Sequence, residues 1–539
     1  MDLEYEYAGL IIGGIVVILI IRLIIGVWAA RKVETNVDYV LAGRRLPFWM
    51  AAPSIMATWF AAETLMGSSA EAYAYGFQGV VFDPFGATMC LVIAGIFVVR
   101  LARRAQYITI MDFFEHRYGT LMSVAGTITQ IITYFGWTAA QIVAGGAILQ
   151  ALLGWPLTSG MILVATVVTL YTLMGGLWAD TALDFMQMFL TCAGLIMIMV
   201  GIIGSVGGLS ELFGLAGAQY TTNTFAIWPT AEDGYYGYFG AHGIFYYIAA
   251  WLALGLGAIP AQDYLQRTCA AKNEQVAVQS TFGAAVLYLS FGVLSPLIGV
   301  VAYGALGAEL TPEQQEFTLV LMAMKYLPPI LTAVFVAALA SALMSTSDSS
   351  MLAGATMFTQ NVIKPFNPGL SDKTELLLTR IGLIVSGILS LVIAMYASTI
   401  YKLAVLANTS ILVGMAAPYL IGMYWKKANH IGALASFISG CVSWLILSIV
   451  WYNSYVLPVV YEGEVADDAV WDSIYIASAP AFFISVIFLF VVSLLTQKQD
   501  PPKVLTDIYG KPVDTKNIFA WSPSPDEEKT PGVAGAPAD

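Results

Sequence analysis

VFVAALASALMSTSDSSMLAGATMFTQNV, residues 334–362, is the stretch whose reading decides the fold. It begins and ends as an apolar helix, but its centre turns to Ala, Ser, Thr and Asp. On a helical repeat Ala342, Ser345, Thr346 and Ser349 fall at i, i+3, i+4 and i+7, so they share one face. Two readings of that face stand open. Small residues let helices in a bilayer pack closely, with hydroxyls bonding back to their own backbone. The same hydroxyls and carbonyls are also the ligands of a small hard cation. Asp348 alongside favours the second reading, because a carboxylate at membrane depth is expensive and usually functional.

Outward from this stretch, the 539 residues are 58% hydrophobic and only 11% charged, which places the chain in a membrane. Apolar runs of about 20 residues each suffice to cross about 30 Å of hydrocarbon. They predict thirteen spans, at 7–28, 48–76, 79–100, 121–151, 156–177, 183–206, 241–263, 279–304, 329–360, 375–396, 400–424, 431–452 and 474–496. With the N-terminus outside and the C-terminus in the cytoplasm, 20 of the 23 Lys and Arg fall on the inner side. Lys325 and Lys402 land outside, and Arg22, within span one, is expected to snorkel inward. The first apolar run lacks the basic start and small-residue cleavage site of a signal peptide, so it is expected to be retained.

Cys90, Cys192, Cys269 and Cys441 lie in spans or on the inner side, where no external disulfide is expected. The formal charge of −12 gives no footing for nucleic acid, and the partners implied are the lipid bilayer and small solutes. The outer connections 207–240 and 453–473 carry no Lys or Arg and are expected to form either lids or covering loops. The tail 497–539, rich in Pro, Asp and Lys, is expected to be disordered and cytoplasmic.

Two spans look broken. Span two carries Pro53, Thr58, Glu63 and Gly67, and span seven holds Gly255, Gly257 and Pro260 ahead of Gln262 and Asp263. Their offset suggests two inverted five-helix repeats, spans two to six and seven to eleven. Broken helices free backbone carbonyls inside protein and so create ion and solute sites.

At this point the residues resemble the sodium:solute symporter family. The motifs are DYVLAGRRL at 38–46, YTLMGGLWADTALDFMQ at 171–187 and ALMSTSDSS at 342–350, in order and on one side of the membrane. The resemblance implies an all-α membrane protein of about 13 transmembrane helices with a leucine-transporter-like 5+5 inverted-repeat core and discontinuous helices. In that arrangement 1–30 is a peripheral N-terminal span, 38–424 the transport core and 431–496 two peripheral C-terminal spans. It also implies sodium held by the carbonyls of Ala57, Phe60 and Ala342 and the hydroxyls of Ser345 and Thr346, with Asp184 on the inward exit path. Asp184 equally suits a helix N-terminus, and Gly175 and Gly176 are turn glycines.

Within the family the choline-transporter-like branch is the most similar, through ATW at 57–59, MDFFEHRYG at 111–119, Trp137 and GAIPAQDYLQR at 257–267. That branch surrounds a quaternary ammonium with aromatic rings. Trp59 and Trp137 keep two cage positions, while Ala87 and Ala261 empty two others.

Glu63, one turn past Trp59, is a candidate for a cationic solute, a second ion or a proton, or for a hydrogen bond to neighbouring spans. Gln141 and Gln262 are candidate solute contacts or interhelical glue. Asp263 and Arg267, at i and i+4, are expected to form an inner-end ion pair, and no Lys or Arg is expected mid-span to neutralise an anion. The expectation is a sodium-coupled symporter of a small cationic or zwitterionic solute in a plasma membrane, most naturally a prokaryotic inner membrane. No enzyme chemistry is expected, and no cofactor beyond the coupling sodium ion. A transport-fold sensor, a sodium-independent channel or facilitator, and a symporter of organic anions are the alternatives.

Overall fold

Helix runs through every range expected to span. The computed structural model describes residues 7–30, 41–173, 177–219, 222–232, 234–306, 309–367, 369–396, 399–453 and 466–515. Among these there is no strand, only isolated bridges. Nine described helices are long and apolar enough to cross a membrane by length and composition. The other spans are shorter or interrupted, and the interruptions build the site.

Span two starts as Phe48–Ala57, stops, and resumes as Ala62–Gly67 and Ser68–Tyr75. Pro53 removes one donor from the first half, and Ala61 leaves helical geometry at φ −134° and ψ −130°. Span seven repeats the pattern as Gly240–Gly255, a turn, then Gln262–Cys269. A Cβ on Gly257 would lie 2.1 Å from the Ala253 carbonyl oxygen and 2.6 Å from that of Asn408. Glycine at this turn is therefore what lets span eleven approach. Short helices follow spans three and eight, Ile110–Arg117 and Thr318–Tyr326. Counting crossings puts the two on opposite sides of the membrane, as two inverted units require.

Span nine, Pro329–Met357, runs through the middle against spans one, four, six and ten. Spans twelve and thirteen, His430–Trp451 and Ala466–Leu495, pack on each other and reach the core through spans seven and eleven. Ile438, Leu445 and Ile449 of span twelve stay exposed, a surface suited to lipid chains. The connection after span six is tied to the turn between spans two and three, with Gln78 donating to the carbonyls of Trp228 and Gly234 at 3.1 and 3.3 Å.

Three sequence expectations fail here. Arg22 does not snorkel: it is fully buried, donates to the Ser341 carbonyl at 2.6 Å and pairs with Asp348 at 3.0 Å. A mid-span arginine therefore exists. Asp348, which also accepts from Thr172 at 2.6 Å, ties spans one, five and nine together instead of flanking an ion. The guanidinium has its acceptors within one side-chain length, so leaving for water would strand the carboxylate.

The tail is the third. Its first part, 497–515, is held against the segment after span three: Arg117 donates to the Lys503 carbonyl, and the Ile508 N–H to the Ala105 carbonyl at 3.2 Å. Arg104 and Arg117, after span three, capture backbone carbonyls of a segment that composition alone reads as unstructured. Gly175, Gly176, the first residues of the 38–46 motif and most of 453–473 lie outside the described residues.

Candidate functional site

The break in span two leaves Trp59 fully buried, and two other elements, span four and the second half of span seven, converge on its ring. Its indole N–H donates to Asp263 Oδ2 at 2.9 Å, while Tyr134 donates to Asp263 Oδ1 at 2.9 Å. Tyr264 stacks on it at 5.5 Å between centroids, and Trp137 meets it edge-on at 6.3 Å and 87°. Two tryptophans singled out from sequence are thus neighbours. The expected Asp263–Arg267 pair does not form between side chains. Asp263 begins the second half of span seven and points to the aromatic groups, whereas Arg267, one turn later, pairs with Asp180 at 2.7 Å and reaches Asp184 at 3.5 Å.

Glu63 lies just past the break, where its Oε2 accepts from Gln141 Nε2 at 2.9 Å. Gln141 Oε1 in turn accepts from the Ala62 N–H at 3.2 Å, so one amide clamps the restart of span two. Glu63 Oε1 is buried and has no hydrogen-bond partner, and neither has Trp137 Nε1. Gln262 goes elsewhere. Its side chain accepts from the Ile110 N–H at 2.7 Å and donates to the Ile108 carbonyl at 3.2 Å, capping the inner helix and leaving the pocket without it.

Sequence reading missed Asp83. It is fully buried in span three, accepts from Thr64 at 2.7 Å and receives Tyr288 at 3.0 and 3.1 Å. The signal was present in FDPFG, since a carboxylate inside an apolar run meets the same test that singled out Asp348. Among the described residues, no Lys or Arg nitrogen lies within 4.0 Å of Glu63 or Asp83.

The small-residue face of span nine points inward. Ala342, Ser345 and Thr346 are buried, as are Ala57 and Phe60. Ser345 donates to Asp184 at 2.8 Å, and Ser54 of span two donates to the other oxygen of Asp184 at 2.8 Å. One carboxylate from span six therefore bridges spans two and nine. Ser347 and Ser350 bond back to the Leu343 and Thr346 carbonyls at 2.8 and 2.7 Å. Thr346 does not: its hydroxyl is buried and unpartnered. A threonine that forgoes its own helix keeps its oxygen for something else.

Interrupted helices in two inverted units, with buried carboxylates at the break, define a secondary transporter of the leucine-transporter-like fold. The family model described as the sodium:solute symporter family matches residues 39–440. The chain belongs to that family, and it couples sodium entry to uptake of a small organic solute by alternating access. It is 27% identical over 493 residues to the human high affinity choline transporter 1, covering 86% of this chain and 81% of that one. It is 26% identical over 505 residues to the high-affinity proline transporter PutP of Bacillus subtilis (strain 168), covering 92% and 99%. The fold matches the substrate-bound outward-open state of a sodium-coupled sialic acid symporter with a TM-score of 0.69 at 19% identity, over 92% of this chain and 98% of that one. The nucleobase-cation-symport-1 transporter Mhp1 follows at 0.52 and 13%, over 87% and 97%.

Proposed function

We propose that the solute is a small organic cation, or a zwitterion bound by its positive end, and that Glu63 and Asp83 receive that charge beside Trp59 and Trp137. The observation that carries this is that Glu63 and Asp83, like Asp263 beside Trp59, are buried carboxylates with no Lys or Arg nitrogen within 4.0 Å among the described residues, and that Glu63 has an open oxygen. An uncompensated buried carboxylate is costly unless a counter-charge arrives, and a transported ammonium supplies one. An organic anion would face both carboxylates, and the buried arginines Arg22 and Arg267 are already engaged, with Asp348 and with Asp180 and Asp184. Names of relatives fit, since choline is a cation and proline carries an ammonium.

Sodium binds where the carbonyls of Ala57, Phe60 and Ala342 meet the hydroxyls of Ser345 and Thr346, and it leaves inward past Asp184. The unpartnered Thr346 hydroxyl supports this placement. Sodium there fixes the end of Phe48–Ala57 and with it the orientation of Trp59, so ion and solute favour one conformation and each tightens the other. Gln141 holds Glu63 in place through the Ala62 N–H. The protein does no covalent chemistry on its solute and requires no cofactor. It sits in a prokaryotic inner membrane with its N-terminus outside.

A thermal-shift screen of amines, betaines, amino acids and carboxylates, with and without sodium, tests the reading. Stabilisation by an amine or betaine only in sodium is expected. Stabilisation by carboxylates alone, or by any solute equally without sodium, contradicts it.

A further inference from the structure

On the lipid side of the core, a fissure opens between two pairs of helices. Span one lies along span nine, where a Cβ on Gly14 would come within 3.2 Å of the Ala333 carbonyl oxygen. Spans four and five lie against each other, where a Cβ on Gly145 would come within 2.9 Å of Val164. Between the two pairs the four helices leave a cavity of about 230 Å³. One residue past Ser347 in its wall, Asp348 takes Arg22 at 3.0 Å and Thr172 at 2.6 Å, so spans one, five and nine are fastened there.

The wall is hydrocarbon, built from side chains such as Ile15, Leu19, Ile148, Val167 and Leu343. Among the described residues, its two polar side chains are engaged elsewhere. Ser347 donates to the Leu343 carbonyl at 2.8 Å, while Gln141 donates to Glu63 at 2.9 Å and accepts from the Ala62 N–H at 3.2 Å. A buried water needs two to four polar partners, and an apolar cavity of even about 150 Å³ stays dry and takes up a hydrocarbon guest. Left empty, the slot would forfeit dispersion contacts along every face.

What stands at its mouth is lipid. Val16 and Leu163 line the cavity yet are 47% and 43% exposed, and beside them Val17, Ile20, Ile162 and Leu170 stay exposed on the same outer surface of spans one and five. The cavity is therefore continuous with the face that the bilayer covers. Its volume lies below the range of small-molecule sites, roughly 300–1,000 Å³, and suits a single alkyl chain. We infer that the fissure holds the end of one acyl chain of a bilayer phospholipid, and that this chain forms the hydrocarbon wall behind the Gln141 clamp on Glu63.

The placement gives the lipid a share in the transport site. Gln141 lines the fissure and joins Glu63 to the restart of span two, so one side chain separates the acyl chain from the buried carboxylate. A filled fissure keeps water from that amide, and its hydrogen bonds keep the strength that a low dielectric gives them. The lipid site needs neither sodium nor solute and stands apart from the reading of the transported charge.

The test places the full-length protein in vesicles of phosphatidylcholine that carries a diazirine at the end of one acyl chain, and maps the adducts by mass spectrometry after illumination. Adducts are expected on Ile148 and Leu343, which are 2% and 3% exposed and out of reach of chains that only coat the surface. Ile438 and Leu445 of span twelve, which are exposed, report that coating and serve as the internal control. Ala340→Phe fills the cavity and should lower labelling of Ile148 and Leu343 about tenfold, the contact of roughly two methylenes, with the control unchanged. Val16→Trp, at the exposed mouth, is the second variant and should act the same way without disturbing the packed interior. Labelling confined to exposed residues of the native protein overturns the inference. So does labelling of Ile148 and Leu343 that persists at the native level in either folded variant. Labelling of those two residues by a diazirine fatty acid but not by the phosphatidylcholine overturns the assignment to phospholipid.

Discussion

Two groups of buried carboxylates flank the break in span two, and they are built on opposite principles. On the span-six side, Asp180 and Asp184 share Arg267 and the hydroxyls of Ser54, Ser345 and Ser349, so every carboxylate oxygen has a donor and the one guanidinium offsets part of the charge. Above the break, Glu63 and Asp83 have only neutral donors, Gln141, Thr64 and Tyr288. A closed network holds helices in register. An open one waits for charge from outside, and its location says where the solute sits.

Breaking the closed network should have the largest effect. Arg267→Ala leaves two carboxylates buried without a counter-charge, and a loss of about 3–5 kcal/mol in stability is expected, read as a lowered melting temperature. Glu63→Gln should instead leave the melting temperature near that of the native protein but weaken solute binding by about 2–5 kcal/mol, read as a collapse of sodium-driven uptake. If both variants unfold alike, the distinction between the two groups is wrong.

Thr346→Ala sharpens the ion half of the account. Removing one oxygen from a charged ligand is worth about 1.5–3 kcal/mol, so the half-saturating sodium concentration should rise by about tenfold or more with solute affinity at saturating sodium unchanged. An unaltered sodium dependence would place the ion elsewhere. The smallest effect is expected from replacing both members of a closed pair. Arg22→Leu alone should destabilise, whereas Arg22→Leu with Asp348→Leu should melt within about 1 kcal/mol of the native protein.

Much of the architecture was legible because it follows from period and composition. Apolar length gave the spans, and Gly257 with Pro260 marked the second break. Individual partners were harder to read. Asp263 and Arg267 are spaced to pair, yet helix direction turns one toward Trp59 and the other toward span six, a choice made by neighbours far along the chain. Arg22 and Asp348 lie 326 residues apart, so each alone could only be judged by its price in lipid. Gln262 resembled a solute contact because a polar residue beside a break can serve either purpose, and the Ile110 N–H decided it. Asp83 was overlooked although its setting met the rule applied to Asp348.

The central claim is that a positive charge, driven by sodium, neutralises Glu63 and Asp83. Uptake of a panel of labelled amines, betaines and carboxylates into proteoliposomes, with an inward sodium gradient imposed and then withdrawn, tests it most directly. Accumulation of an amine or betaine only while the gradient stands, and lost in Glu63→Gln, is the predicted result. Accumulation of a carboxylate without an ammonium group, or of any solute unaffected by removing the gradient, would contradict it.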